Sequence, residues 1–395
     1  MHGGPTGPPP PPGLRHTTWA LRLQFAALGL LAGTWGAHIP SVKAQHGLSD
    51  LSLSAVLMAA GLGAISALLF AGRVVAHLGT RRSALLGGMA MCSTFALILP
   101  LPGLWLVLLA SLVFGCGMSL FDVSINSEGS ALESRCGRTI MSNLHGMFSL
   151  GAMAGAAVAA TLLRAGMAPM LQLAAVGVVM AGLIFAASLG MRRPDTADSA
   201  AAGGATAGNS PAHFAWPRGL LLVIGLLIFA GMMAEGVMYD WCVLYLQQDL
   251  GLPQSQAALG YAAFAGAMAL ARFGGDALRA RYAETRILLL GALLAAVAMA
   301  TVLVVGHPVV ALLGFALAGA GLAPVAPILF NAATRVPGVS RAAAIASVTS
   351  IGYSGFLVGP PLIGALAQAS SLRVALSVVV LAALCLAAGA RRVPT

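Results

Sequence analysis

The chain has 395 residues, of which 59% are hydrophobic and 8% are charged, and its mean hydropathy is +0.91. This composition excludes an ordinary soluble domain and predicts a helical protein of the lipid bilayer, because the apolar runs are about 20 residues long and lack the alternation of membrane strands. The net charge of +10 does not indicate a nucleic-acid partner, since the basic residues are spread over short loops.

The predicted elements begin with a proline-rich, disordered tail at 1–16. Twelve apolar runs follow and predict twelve transmembrane helices. The first is expected from about Trp19 to Ile39, with Pro40 closing it. The other spans are predicted at 51–75, 83–101, 104–128, 139–163, 169–190, 218–246, 255–278, 286–305, 309–333, 341–366 and 372–390, with a short tail at 391–395.

A polar interruption at 191–217 divides the chain. Its small, polar and proline residues are typical of a flexible linker, here expected to be cytoplasmic. It separates a six-helix bundle at 17–190 from a second at 218–390, and glycines recur between the two at an offset of 204 residues. The sequence therefore predicts an all-α polytopic membrane protein with twelve transmembrane helices in two pseudo-symmetric six-helix bundles.

The distribution of basic residues predicts the orientation. All but Lys43, Arg164 and Arg373 of the 21 lysines and arginines are assigned to one side, Arg272 among them. Positive residues favour cytoplasmic loops, so both termini are expected in the cytoplasm. The excess of arginine over lysine and the richness in alanine and glycine are typical of a bacterial genome, which indicates a bacterial plasma (inner) membrane.

Four ionisable residues are expected inside the membrane: Asp122, His145, Glu235 and Asp240. None has an ionisable counterpart at the 204-residue offset. Such groups are costly in hydrocarbon and usually face a bundle interior or a water-filled cavity, so we predict that these four take part in proton coupling. For Asp122 a structural hydrogen bond between helices stays an alternative, and for His145 ordinary packing.

Polar and aromatic residues of the predicted first, fourth, seventh and tenth spans are candidate solute contacts in a central cavity. Asn126 lies four residues after Asp122 and therefore shares its helix face. For Trp241 the alternative is an interfacial aromatic belt. The full set of predicted solute contacts is Trp35, His38, Asn126, Trp241 and Asn331.

Two basic loops are predicted to act in gating. One joins the second and third spans, and its counterpart joins the eighth and ninth. Clustered arginines can pair with carboxylates across a cytoplasmic gate or bind anionic lipid headgroups. The predicted gating residues are Arg73, Arg81, Arg82, Asp276 and Arg281.

The chain lacks the motifs of enzymes and metalloproteins. There is no nucleophile–base grouping, HExxH sequence, P-loop or paired metal ligand, and the five cysteines have no metal-ligand spacing. The sequence therefore predicts that the protein is not an enzyme and has no metal, no cofactor and no direct drive by ATP.

Four stretches together resemble the MosC-like branch of the major facilitator superfamily. They are the run from DVSIN to HGMFSLG, EGVMYDW at 235–241, GGDALRARY at 274–282 and GYSGFLVGPPLIG at 352–364. Ala76 departs from the superfamily's loop signature, which has an aspartate there. The resemblance implies a secondary transporter of small molecules that works by alternating access and is complete in one chain, as a monomer.

The leading hypothesis is thus a proton-coupled secondary active transporter of a small polar solute, with sugar-like molecules as one class. The first alternative is an efflux exporter of hydrophobic or cationic compounds, although the fifth span lacks the proline typical of drug antiporters. The second alternative is a nonconducting membrane sensor or a membrane-embedded enzyme.

Overall fold

A computed structural model describes residues 12–136, 140–191 and 218–393, and these ranges are almost entirely helical and contain no strand. The side chains of 12–14, 142, 276 and 342 are not described. The all-α prediction is confirmed. The first half contains α1 (Pro12–Gln45), α2 (Asp50–Leu97), α3 (Leu104–Cys136), α4 (Met141–Arg164) and α5 (Pro169–Leu189). The second half contains α6 (Leu220–Gln248), α7 (Gln254–Arg279), α8 (Glu284–Val305), α9 (Pro308–Leu322), α10 (Val325–Ala333), α11 (Arg341–Ala369), α12 (Leu372–Ala375) and α13 (Ser377–Gly389), with a final 3-10 turn at Ala390–Arg392.

The long helix α2 consists of two arms that fold back on each other at Gly79. The φ of 79° and ψ of 160° at this residue suit glycine, which has no Cβ. The thiol of Cys116 on α3 donates to the Gly63 carbonyl of the first arm at 3.3 Å, while its neighbour Gly117 faces the Gly87 carbonyl of the second arm. In one continuous helix Gly63 and Gly87 would lie roughly 36 Å apart.

The fold-back brings the number of membrane crossings to the predicted twelve. The described residues contain 11 segments long and apolar enough to span a membrane, and α2 is counted among them as one. The predicted tenth span is built from α9 and α10, which meet at the break before Pro324, and the twelfth from α12 and α13.

The first helix is longer than predicted at both ends. It starts at Pro12, inside the predicted tail, and continues to Gln45, so the prediction that Pro40 closes it is wrong. Proline removes one helical hydrogen bond, but membrane helices tolerate this when neighbouring groups compensate. The acceptor that Pro40 leaves free is the Gly36 carbonyl, and next to it the Ala37 carbonyl accepts from Gln254 of the second half at 2.9 Å. Residues 1–11 and 192–217, which include most of the predicted tail and linker, lie outside the described ranges.

The two halves pack against each other mainly through two helix pairs, with further contacts from α1 to α6 and α7. In one pair α4 lies against α7, and in the other the first arm of α2 lies against α11. The 204-residue repeat is visible in the packing within each half, because Gly87 faces Gly117 and Gly291 faces Gly321. The two pseudo-symmetric halves thus meet face to face, and the interface between them is the candidate position of a binding cavity.

Candidate transport cavity

An ion pair between Glu235 and Arg272 lies within the membrane-spanning region. Glu235 is near the middle of α6, and Arg272 on α7 donates from Nη2 to its Oε1 at 3.2 Å. The side chain of Glu235 is 16% exposed and that of Arg272 is 30% exposed. Charged groups in hydrocarbon are costly and usually face the interior of a helix bundle. The pair therefore indicates that these faces of α6 and α7 point toward the interior of the bundle and away from lipid.

Sequence reasoning missed Arg272 as a site residue. The sequence predicts it among the cytoplasmic arginines of the connections, but the structure places it inside α7, about 10 Å along the helix from Arg279 at the C-terminal end. The assignment to a loop is therefore wrong. The sequence contains a signal for this role, because Arg272 lies within an apolar run and the preceding span has a carboxylate, Glu235, near its middle.

An aromatic wall lies beside the ion pair. Tyr239 is one turn beyond Glu235 on α6, and its ring centroid is 5.0 Å from those of Tyr261 and Phe264 on α7. The Tyr239 hydroxyl donates to the sulfur of Met268 at 3.5 Å. These contacts hold α6 against α7 and fix the direction in which Glu235 projects.

The first half reaches the ion pair through α4. Gly146 lies against the ring of Phe273, the residue after Arg272. His145 is exposed, packs edge-on against Phe25 with ring centroids 5.3 Å apart, and is within electrostatic reach of Arg272. The structure therefore brings the predicted residues His145 and Glu235 to the same region, one from each half.

A second polar group lies on α3. Asp122 accepts from the Asn126 amide at 2.9 Å, which confirms that these two side chains share a helix face. Asp122 is within electrostatic reach of Tyr353 on α11 of the other half. This group also spans the interface between the halves, but it has no basic partner among the described residues.

Asp240 is half-buried on α6, and in the described part of the chain it forms no hydrogen bond or ion pair. Its neighbour Trp241 is fully buried, and the indole Nε1 has no hydrogen-bond partner there. The structure thus places Trp241 in the packed interior of the second half.

Trp35 and His38 also lie in packed interior, in the first half. Trp35 is 9% exposed and stacks on Phe114 with ring centroids 5.3 Å apart. His38 is fully buried between Ser41 Oγ and Gln172 Oε1, each at 3.1 Å. Neither side chain is brought to Glu235 or Asp122.

Asn331 belongs to a polar cluster at the C-terminal end of α7, the start of α8 and the C-terminal part of α10, on the side predicted to be cytoplasmic. Its amide donates to Glu284 at 3.1 Å. Glu284 also accepts from Arg279 at 2.7 Å and from Arg335 at 3.1 Å. In the first half the corresponding position carries a smaller contact, in which Thr80 donates to Glu128 at 2.5 Å.

The predicted gating arginines lie near the fold-back of α2 and after the C-terminal end of α7, on the side predicted to be cytoplasmic. Arg73 lies over the ring of Phe70 at 5.9 Å. Arg81 is half-buried, whereas Arg82 and Arg281 are exposed. The side chain of Asp276 is outside the described part, and the gating role of all five residues stays a prediction.

At the opposite end, which is predicted to be the outer end, the halves are joined by hydrogen bonds. Gln254, at the start of α7, donates to the Ala37 carbonyl at 2.9 Å and to Ser41 Oγ at 2.7 Å. Close by, Gly36 lies against the ring of Tyr261. Within the described ranges, no group of three or more His, Cys, Asp or Glu residues could hold a metal ion, and the five cysteines are free.

Two repeated helical halves with charged groups at their interface define a membrane transporter. The chain belongs to the Major Facilitator Superfamily, whose family model matches residues 23–354 and 245–394. It is 36% identical over 376 residues to an uncharacterized MFS-type transporter of Yersinia pestis, covering 94% of each chain. It is 29% identical over 371 residues to the membrane protein MosC of Rhizobium meliloti, covering 91% of this chain and 86% of MosC.

Solved structures share the fold at low sequence identity. The nucleoside transporter NupG matches with a TM-score of 0.75 at 13% identity, covering 96% of this chain and 98% of NupG. The Escherichia coli fucose:proton symporter FucP matches with a TM-score of 0.63 at 16% identity, with the same coverage. The resemblance to the MosC-like branch of the superfamily is thereby confirmed, as is the predicted fold.

Proposed function

We propose that the protein is a secondary active transporter that couples the movement of a small polar solute to that of protons by alternating access. The observation that carries the proposal is the Glu235–Arg272 ion pair inside the membrane-spanning helices, within electrostatic reach of His145 of the other half. A carboxylate that can exchange a guanidinium partner for a proton is suited to link protonation to solute binding. Uptake and efflux are both compatible with this chemistry.

The residues around the pair have distinct roles in this proposal. Glu235, Asp122 and Asp240 can take up protons, and His145 lies where it can relay them. Asn126 and the aromatic wall contact the solute. Trp35, His38, Trp241 and Asn331 act through the packing that positions these groups, since the structure places them in packed interior or in the cytoplasmic cluster.

The names of the structural relatives support a polar, sugar-like solute. One relative is named a nucleoside transporter and another a fucose:proton symporter, so both fall among carriers of hydroxyl-rich molecules. Because both relatives have the same fold, the solute class is determined by the residues that line the cavity and not by the fold.

We further propose that the protein lies in a bacterial plasma membrane with both termini in the cytoplasm and works as a monomer. The hydrogen bonds of Gln254 between the halves at the outer end support a cavity that opens toward the cytoplasm in this structure. Rocking of the halves would then break these bonds and open the outer end, with the cytoplasmic arginines closing the opposite end.

The test is solute-driven proton movement in proteoliposomes containing the purified protein. Sugars, inositols, organic acids and cationic dyes are added in turn, and E235Q and D240N are measured beside the unchanged protein. Proton flux that follows one polar solute and is lost in E235Q supports the proposal. Flux driven by the dyes indicates the efflux exporter, and solute movement without protons contradicts the coupling. Silence with folded protein favours the sensor.

A further inference from the structure

Most hydrogen-bond donors of the Arg272 guanidinium are unused in the described structure. Arginine carries five N–H donors in a planar fork that matches carboxylates in a bidentate manner. Among the described residues Arg272 makes one hydrogen bond, from Nη2 to Glu235 at 3.2 Å. Hydrogen bonds between a guanidinium and a carboxylate are usually about 2.7–2.9 Å long, so this contact is both single and long.

A second arginine on the same helix shows the contrast. Arg279 approaches Glu284 with Nε at 3.1 Å and Nη2 at 2.7 Å, so the two atoms of its fork meet one carboxylate. That pair lies in the cytoplasmic cluster and ties α7 to α8. Arg272 has the same planar group but bonds its carboxylate through one nitrogen, and its side chain, on the helix that packs against α4 of the first half, is 30% exposed.

The surroundings of Arg272 favour an incoming anion. α4 brings His145 within electrostatic reach, and Gly146 beside it seats the ring of Phe273. A solute held by the fork would therefore touch both halves, which is what a transported molecule requires. Within the ranges that the structure describes, Glu235 is the carboxylate paired with this guanidinium.

We propose that Arg272 is the anion-binding residue of the cavity and that the transported solute carries a carboxylate that replaces Glu235. The inference rests on the proposed function and names the solute class for the same site. Glu235 occupies the fork while the cavity is empty. The solute carboxylate takes its place when Glu235 is protonated, and it engages the fork with two parallel hydrogen bonds.

The charges balance in this exchange. A proton adds to one oxygen of Glu235 and forms a neutral acid, which releases the guanidinium. The solute brings one negative charge, so the net charge of the site is the same before and after. One proton therefore moves with one monoanion, and transport is electroneutral. A neutral solute carried with a proton would move net charge instead.

Other titratable groups face this site. They are His145 from α4, Tyr239 and Asp240 from α6, and Tyr261 from α7. α11, which also packs on α6, contributes Tyr353, and that residue faces Asp122. These groups will shape the pH profile, so the decisive variants change Glu235 and Arg272 themselves.

The first experiment measures binding to the full-length protein in lipid nanodiscs. The probes are D-glucuronate with D-glucose as its neutral counterpart, and formate, lactate and gluconate as further carboxylates. At pH 8 we expect E235Q to bind at least one carboxylate ten times more tightly than the unchanged protein does, because its fork is free. R272Q/E235Q should lose that binding, and R272K/E235Q, which keeps the charge but not the fork, should lose at least tenfold.

The matched control is R286Q/E235Q, because Arg286 is exposed at the start of α8 and its loss removes the same charge. This variant should bind like E235Q. The proposal is overturned if E235Q binds no carboxylate of the panel more tightly than the unchanged protein, or if R272Q/E235Q binds as well as E235Q.

The second experiment measures transport of the best carboxylate in proteoliposomes with potassium and valinomycin setting the membrane potential. We expect the rate to follow the pH gradient and to change less than twofold with potential. Proton-coupled uptake of D-glucose that accelerates with potential would overturn the anion assignment and leave the proposed function standing. Arg272-dependent carboxylate binding without any proton movement would keep the anion site and overturn the coupling.

Discussion

The hydrogen-bond network around His38, at the predicted outer end, and the candidate cavity use polar groups in opposite ways. In the network around His38 the groups are neutral and satisfied. Gln172 donates to the Met167 carbonyl at 2.8 Å, so its oxygen accepts from His38 Nε2, and His38 Nδ1 accepts from the Ser41 hydroxyl. Ser41 accepts in turn from Gln254, whose amide also reaches Ala37. This series of hydrogen bonds runs from α5 through α1 to α7 of the other half.

In the cavity the groups are charged and under-satisfied. Arg272 uses one donor, Asp122 has the amide of Asn126, and Asp240 has no hydrogen-bond partner in the described part of the chain. Satisfied neutral bonds favour one closed arrangement, whereas unsatisfied charges favour the arrival of a proton or a solute. The difference indicates that the network around His38 closes one end of the protein, while the charged groups bind the proton and the solute. Variants of the network should therefore change the conformation, and variants of the charged groups should change binding and coupling.

The largest effect is expected for R272Q. It removes the cation of the cavity and leaves Glu235 without its partner, which is more damaging than removing both. We expect a loss of at least about 100-fold in the initial rate of uptake. The melting temperature of R272Q/E235Q should exceed that of R272Q while its transport stays absent. Normal transport by R272Q would contradict the role of the cavity charges in binding and coupling.

A smaller effect is expected for D122N. The substitution keeps the shape of Asp122 and removes its charge, while Glu235 and Arg272 remain. We expect proton-coupled accumulation to fall about tenfold, measured as the ratio of solute inside and outside liposomes under a pH gradient. The exchange D122N/N126D restores one carboxylate and one amide on the same face and should recover part of the loss. Unchanged accumulation in D122N would assign Asp122 to structure alone.

Q254L should change the conformation rather than the coupling. It removes two hydrogen bonds between the halves, which are worth about 1–3 kcal/mol together. We expect a severalfold faster reaction of an impermeant thiol reagent, added outside, with A258C in a background without native cysteines, because Ala258 is buried on α7. The control is Q256L, since Gln256 is exposed on the same helix. Equal reactivity in the two variants would contradict the closing role of Gln254.

The smallest effect is expected for W241F. The indole is fully buried and its Nε1 has no hydrogen-bond partner in the described structure, so phenylalanine loses volume but no polar contact. The rate of uptake should change less than twofold. A loss of tenfold or more, with folding preserved, would return Trp241 to the solute contacts and extend the cavity into a region that is packed in this structure.

Most of the fold could be predicted from the sequence because the thickness of the bilayer sets the length of each apolar run. The error at Pro40, which did not end α1, comes from local context. The turn at Gly79 lies between the predicted second and third spans, as expected. Whether a proline ends a membrane helix depends on the groups packed around it, and the sequence of one segment does not contain them.

The site was less predictable. Asp122 and Glu235 could be found because a carboxylate is conspicuous in an apolar run. Trp35 and Trp241 were expected to face the cavity but are packed, since a membrane helix is apolar toward both lipid and protein and its sequence does not mark the inward face. Arg272 was missed because it lies close to basic loop residues, and its contact with Glu235 is visible only in three dimensions.

The glycine contacts have a mechanical consequence. Within the first half they join backbone to backbone, since a methyl group at Gly29 would lie 1.9 Å from the Phe148 carbonyl oxygen. Between the halves they hold side chains, as Gly146 holds Phe273 and Gly266 holds Met153. Backbone contacts of this kind resist deformation of the first half, whereas the ring of Phe273 and the thioether of Met153 can change rotamer without moving the backbone. We therefore expect relative motion to concentrate at the interface where α4 meets α7.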